Sequence, residues 1–336
     1  MPRRRRHRPQ QRIPGPAGGA VRVETTRTAA PVRLQHACAV YSSSADLVEQ
    51  ATPVVAEAAR RGEAVVLSVR PETEARLRDA AGSARVVALG AGTPARSSGQ
   101  TTAARLAREL RELTSQCGAV LAVSEHDSAL DGIDGRYWTE LDAAVNVALT
   151  DLPVRMFCFY PEMPLHSEIL DGAIANHPLL FEAGRLHVNA DHRPPRDVLA
   201  GMPAAPPVLL GAPDLDMVFS AWQLHEVRAA VADLAAATAF DTARSEDVVL
   251  AVNEIATNAV EHGSGEARIA LWIAGDGLVA EIHDTGESLA EPLPGLRAPH
   301  PADPRGRGVW IARQLCDVLH VWRDRSGTHV RMHAAP

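Results

Sequence analysis

No lysine occurs in the 336 residues; all 34 basic side chains are arginine. That absence excludes whole classes of chemistry. A Walker A loop sets a lysine on the nucleotide phosphates, and a eukaryotic-type protein kinase needs one as well. A Schiff-base enzyme is excluded for the same reason. Any nucleotide held here must have its phosphates met by other cations or by backbone amides. Long apolar runs are also missing: no stretch of eighteen exists, so no transmembrane helix is expected. Cysteine is scarce. Cys38, Cys117, Cys158 and Cys316 lack paired spacing, which argues for a reducing cytoplasm and against a disulfide framework or zinc ribbon.

What charge there is lies unevenly. Residues 1–33 hold nine arginines and one acid, Glu24, leaving 25 arginines against 40 acids in the remainder. So acidic a body is not expected to bind double-stranded nucleic acid directly, and no membrane contact is expected. The stretch "MPRRRRHRPQQRIPGPAGGAVRVETTRTAAP" has no apolar segment after its arginines and does not read as a signal peptide. Its proline, glycine and arginine without period read as disorder. A nucleic-acid or membrane arm is one reading of such a run. The preferred one is an inert tail, or a start codon set too far upstream with the protein beginning near Val21. The arginine and alanine bias points to a GC-rich bacterial genome.

Three parts follow the tail (1–33). From 34 to 199, short apolar runs ("HACAVY", "AVVLSV", "RVVAL", "AVLAV", "VRMFCFY") alternate with helical stretches at 44–61, 72–81, 101–116 and 138–149. Such alternation predicts a mostly parallel sheet covered on both faces. Residues 200–213 are proline-rich and read as a linker. In 214–336 the helical "VRAAVADLAAATAF" and a helix at 246–262 precede the strands "ARIALWIA" and "LVAEIHD", a proline-rich loop, a helix at 308–319 and the strand "THVRMH". That order predicts an α/β sandwich, with helices stacked on one face of a mixed sheet. There are no internal repeats.

Four motifs in the last part carry chemistry. In "NEIATNAVEHG", Glu254, Asn258 and His262 line one helix face beside the apolar stripe Val248, Val252, Ile255, Ala259. A solvated helix face explains that helix alone equally well. In "EIHDTGES", Asp284 closes a strand where it can accept from an amino group, and Gly286 lets backbone approach a flat ligand. In "RGRGVWIARQLCD", Gly306 and Gly308 open a helix whose free N–H groups suit an anion, with Arg305 and Arg307 adding charge. In "SGTHV", Thr328 brings a free hydroxyl to the last strand.

In this order and spacing, E-x-x-x-N-A-x-x-H-G, D-x-G, G-x-G and G-T closely resemble the ATPase domain shared by gyrase, the Hsp90 chaperones, histidine kinases and mismatch-repair ATPases. Within that superfamily a lone compact domain starting with an "R…V" helix is most similar to the bacterial anti-sigma-factor serine kinases. The resemblance covers roughly 214–334. It implies the Bergerat-type ATP-binding fold, ATP and Mg²⁺ as ligands, and a cytoplasmic regulator. By it, Asn258 holds Mg²⁺ and Glu254 is the general base. Asp284 accepts the adenine amino group near Gly286. Gly306 and Gly308 shape the phosphate loop, Thr328 closes the adenine pocket, and His262 and Arg305 complete the nucleotide site. The implied partners are a sigma factor and an anti-anti-sigma protein of STAS type, with a homodimer allowed. The sequence departs from the family in having Ser288 where a second glycine is common, and five prolines between 287 and 305. An ATP-dependent partner switch without kinase activity, or a histidine kinase output domain, are the alternatives. His225 is not followed by proline and is read as structural.

The earlier part resembles the MEDS sensory domain, named for methanogen and methylotroph DcmR-type regulators. "HACAVYSS" (36–43), "YWTELDAAVN" (137–146), "MFCFYPE" (156–162) and "NHPLLFEAG" (176–184) carry the likeness. It implies a RecA-like parallel-sheet fold without a phosphate loop, in accord with "RPETEAR" after "AVVLSV". His36, Cys38 and Tyr41 lie along the first strand, whose end is where open α/β sheets place ligands. A sensing pocket or metal site is one reading. Buried strand residues are the preferred one, since two ligands at i, i+2 do not make a site.

Overall fold

The computed structural model describes residues 33–88, 98–131, 135–164, 166–200, 202, 210–275, 277–286, 293–300, 302 and 306–336. Two sheets organise the chain. The first part runs β1 (Gln35–Tyr41), α1 (Ser44–Arg60), β2 (Ala64–Ser68), α2 (Pro71–Ala81), β3 (Val86–Ala88), α3 (Gly99–Cys117), β4 (Val120–Glu125), α4 (Arg136–Ala148), β5 (Val154–Pro161), α5 (Ser167–Asn176), β6 (Leu179–Glu182), β7 (Arg185–Val188) and α6 (Pro195–Ala200). Its sheet has the order β3-β2-β4-β5-β1-β6-β7. Every neighbouring pair is parallel except β6 with β7, which form a hairpin. The unbroken apolar run of β5 has its physical cause here: a central parallel strand is covered on both faces, and only the last residue of β5 escapes full burial.

The second part contributes β8 (Leu215–Ser220), α7 (Leu224–Ala235), α8 (Thr242–His262), β9 (Glu266–Ala274), β10 (Gly277–Asp284), α9 (Gly308–Leu315), β11 (Val318–Asp324) and β12 (Gly327–Ala334). The sheet order is β11-β12-β10-β9-β8, and every pairing is antiparallel rather than mixed. Val227 and Val231 of α7, the stripe of α8 and Ala312 of α9 pack with Ile269, Leu271, Leu278 and Ile282 of the sheet. The expected α/β sandwich is thus present, beside the expected parallel sheet.

Three helices of the second part differ in their bounds from the sequence reading; the one read over 227–240 runs from Leu224 to Ala235. The helix expected to start at 246 begins at Thr242, because Asp241 caps it by accepting from the Arg244 amide at 2.7 Å. The helix expected to reach 319 stops at Leu315, and 318–324 is a strand. There Leu319 and Val321 point into the core with the alternation of a strand.

Candidate nucleotide site and sensory cavity

The buried stripe Val248, Ala251, Val252, Ile255, Ala256, Ala259, Val260 fixes the rotation of α8. Glu254 and Asn258 are thereby held half-buried at the edge of the core, while His262 is exposed in the last turn. The start of α9 lies against the first two. A Cβ placed on Gly308 would stand 2.8 Å from Glu254 Oε2 and 2.9 Å from Asn258 Nδ2. Only a residue without a side chain lets the helix start lie on both groups. The first intrahelical bond of α9 is Ile311 N–H to Arg307 O, so the amides ahead of it have no helical acceptor. Gly306 is exposed with φ +81°. Arg305 and Ser288 lie outside the described residues.

A second group forms where β10 ends. Asp284 pairs with Thr328 on β12 and with Ala267 on β9. Its Oδ1 accepts from the Gly286 amide at 2.9 Å. A Cβ on Gly286 would lie 2.6 Å from Gly263 Cα, so the turn after β10 and the end of α8 meet backbone to backbone. Thr328 is 4% exposed, and its Oγ1 is buried without a hydrogen-bond partner. Buried hydroxyls rarely stay unpaired; a ligand polar group beside Asp284 would complete this one. The structure therefore gathers Glu254, Asn258 and Gly308 at one place, and Asp284, Gly286 and Thr328 at another, both along the C-terminal half of α8. His225 does neither; it is exposed on α7 with Nδ1 3.0 Å from Trp222 O.

The loop between β10 and α9 reaches the first part of the molecule. Leu293 and Leu296 are buried in a core cluster with Trp138, Val145 and Leu149 of that part. Arg313 of α9, 5% exposed, donates to Pro294 O at 2.8 Å, to Leu319 O at 3.0 Å and to Gln100 Oε1 at 2.9 Å. Gln100, on α3, donates in turn to Glu140 Oε1 at 2.8 Å and to Val321 O at 3.3 Å. Sequence reasoning missed this clamp; its one signal was an arginine inside an apolar nine-residue stretch.

In the first part, the alternation of β1 separates the three expected residues. His36 and Cys38 point to the face covered by α4 and α5, and Tyr41 packs on the other with Leu47, Phe157 and Phe181. They are not one pocket. The Tyr41 hydroxyl bonds Glu125, and burial pushes its pKa up. A cavity of about 430 Å³ opens instead at the ends of β2, β4 and β5, lined by Arg70, Glu125, His126, Trp138, Asp142 and Tyr160 among others. Arg70 Nε donates to Glu125 Oε1 at 2.6 Å, and the Trp138 indole donates to Asp131 Oδ1 at 2.9 Å beside His126. These residues follow strand ends, the position where open α/β sheets leave a ligand crevice.

Residues 35–178 match the family model of the MEDS domain, the methanogen/methylotroph DcmR sensory domain. Residues 219–334 match that of the histidine kinase-like ATPase domain. No curated protein matches the chain. The crystal structure of the RsbU and RsbW domains of Rv1364c from Mycobacterium tuberculosis aligns over 37% of this chain at 22% identity, with a TM-score of 0.26. The chain covers 33% of that structure's length. Among the described residues no helix is long and apolar enough to cross a membrane.

Proposed function

We propose that this chain, which joins a MEDS domain to a histidine kinase-like ATPase domain, is an ATP-dependent protein serine/threonine kinase of the anti-sigma type acting in the cytoplasm. An ATPase domain of this family binds ATP. The observation that carries the finer reading is the contact of Gly308 with both Glu254 and Asn258. It brings a carboxylate and a carboxamide to a helix start that suits phosphate. The adenine end belongs at Asp284, where Oδ1 is engaged by Gly286 and the unpaired Thr328 hydroxyl stands ready.

With no lysine available, positive charge at the phosphates comes from backbone amides, Arg307 and Mg²⁺. Asn258 would hold the ion, which when bound neutralises phosphate charge. Glu254 would take the proton of a serine hydroxyl as its oxygen bonds to the γ-phosphorus and the bond to the ADP oxygen breaks. The serine belongs to a STAS-type anti-anti-sigma partner, and the kinase itself sequesters a sigma factor, as a homodimer in the manner of the family. Control by the first domain runs through the loop that crosses to it, held by Leu293, Leu296 and Arg313.

The test compares Glu254→Ala with Asn258→Ala for ATP affinity and partner phosphorylation. Loss of a general base costs about 10²- to 10⁴-fold in rate, so Glu254→Ala should keep ATP and lose transfer, while Asn258→Ala loses both. Transfer by Glu254→Ala at the parent rate removes the base assignment. A parent protein that phosphorylates nothing yet binds a sigma factor only with ATP is a partner switch without kinase activity.

A further inference from the structure

We propose that the MEDS domain holds a divalent transition-metal ion, zinc by its donor set, between His36, Asp142, Cys158 and His177. One ligand atom from each lies within 4.8 Å of all the others, and all four residues are buried. They arrive from β1, α4, β5 and the residue that ends α5. Zinc is bound at about 2.0–2.3 Å, so a tetrahedron around it has edges of about 3.3–3.7 Å. The separation of His36 Nε2 from Cys158 Sγ, 3.4 Å, already has that length. Two imidazoles, a thiolate and a carboxylate make the mixed N/S/O set that zinc takes.

The outer contacts of the two rings strengthen the assignment. His36 Nδ1 lies 3.0 Å from Asn146 Oδ1, and the Asn146 amide is oriented by its own donation to Asn176 O at 2.6 Å. An amide oxygen only accepts, so the His36 proton is on Nδ1 and Nε2 keeps its lone pair. His177 Nδ1 lies 2.7 Å from Ala173 O and must donate there. His177 Nε2 is left buried with no partner. Metal-ligating histidines almost always hold their outer N–H in this way. Asp142 is fixed by the Tyr160 hydroxyl at 2.6 Å.

Packing alone leaves His177 Nε2 an unsatisfied buried atom; an ion satisfies it and takes the Cys158 sulfur as thiolate, its proton leaving to solvent. Asp142 and Cys158 also line the 430 Å³ cavity, so the ion sits where a small molecule entering that cavity would reach it. None of this depends on the ATP site.

The experiment uses the full chain, stripped with chelator and titrated with Co²⁺ and then Zn²⁺. Expected are one ion per chain, a thiolate-to-cobalt charge-transfer band, the d–d bands of a tetrahedral ion, and their loss on adding Zn²⁺. Cys158→Ser should lose the charge-transfer band and His177→Gln should lose tight binding. Cys117→Ser, on the partly exposed thiol of α3, should keep both. Asn146→Ala should weaken affinity about 10- to 100-fold, the usual effect of removing an outer partner of a ligand. A parent protein that shows no thiolate–cobalt band overturns the proposal without reference to any variant. So does a Cys158→Ser protein whose band equals the parent's.

Discussion

Gly308→Ala separates the proposed phosphate end of the nucleotide site from the scaffold that would carry it. Gly308 is the first residue of α9, and its φ is not positive, so alanine suits the backbone. Gly→Ala at a compatible position stabilises by about 0.4–1 kcal/mol. The added Cβ would nevertheless stand 2.8 Å from Glu254 Oε2 and 2.9 Å from Asn258 Nδ2, inside van der Waals contact. Both are free ends of flexible side chains, so they rotate rather than lift the helix. An off-rotamer side chain costs about 0.5–1.5 kcal/mol, which leaves net stability within roughly 1 kcal/mol of the parent. The ligand loses more. A charge-assisted contact is worth about 1.5–3 kcal/mol, so Mg·ATP affinity should fall about 10- to 150-fold. Gly306→Ala is the control: φ is +81° and nothing lies within 4 Å of its would-be Cβ, so it costs about 1–2 kcal/mol of left-handed strain without touching either side chain. Denaturant titration and calorimetry on the two variants give four numbers. A stable Gly308→Ala protein that binds Mg·ATP as the parent does would put the phosphates elsewhere.

At the adenine end, Asp284→Asn should weaken ATP about 10- to 150-fold, and the parent should bind GTP poorly because guanine presents an oxygen in place of the amino group; equal affinities, by calorimetry, would contradict the pocket. Thr328→Val removes a buried hydroxyl that has no protein partner, so melting should shift little or upward while ATP affinity falls about 2- to 10-fold. Gln100→Ala takes an acceptor from Arg313 and a donor from Val321 O; trypsin should then cut faster after the exposed Arg297, and an unchanged cleavage rate would mean that the clamp does not hold the loop.

Periodicity made most of the fold legible. The two-sided apolar run of β5 and the 3.6-residue stripe of α8 each state their surroundings, and Asp284 declares itself by closing a strand before a glycine. Contacts made by topology stayed hidden. His36 and Cys158 are 122 residues apart, and nothing local says that β1 and β5 are neighbours in the sheet. Leu293 and Leu296 sit in a proline-rich loop, where apolar residues follow no period and so reveal no buried face. The grouping of His36 with Tyr41 is a different matter: a strand's period of two sets residues five apart on opposite faces, and β1 obeys it.

The described part of the loop between β10 and α9 and the cavity of the MEDS domain share one helix, α4. Glu140 of α4 accepts from Gln100 at 2.8 Å and from the Gly99 amide at 2.8 Å, and two residues on, Asp142 faces Tyr160 at the cavity wall. One helix, α4, thus carries both the cavity-wall residue Asp142 and Glu140, the acceptor that steadies Gln100 beside Arg313. The size of the signal needed follows from what the clamp buries. Exposing two leucines costs about 1.5–3 kcal/mol each, so releasing Leu293 and Leu296 together costs about 3–6 kcal/mol. A ligand can shift an equilibrium only by its differential affinity for the two states. An effector that frees this loop must therefore prefer the released form about 10²- to 10⁴-fold. A weak, non-selective occupant of the cavity cannot do that.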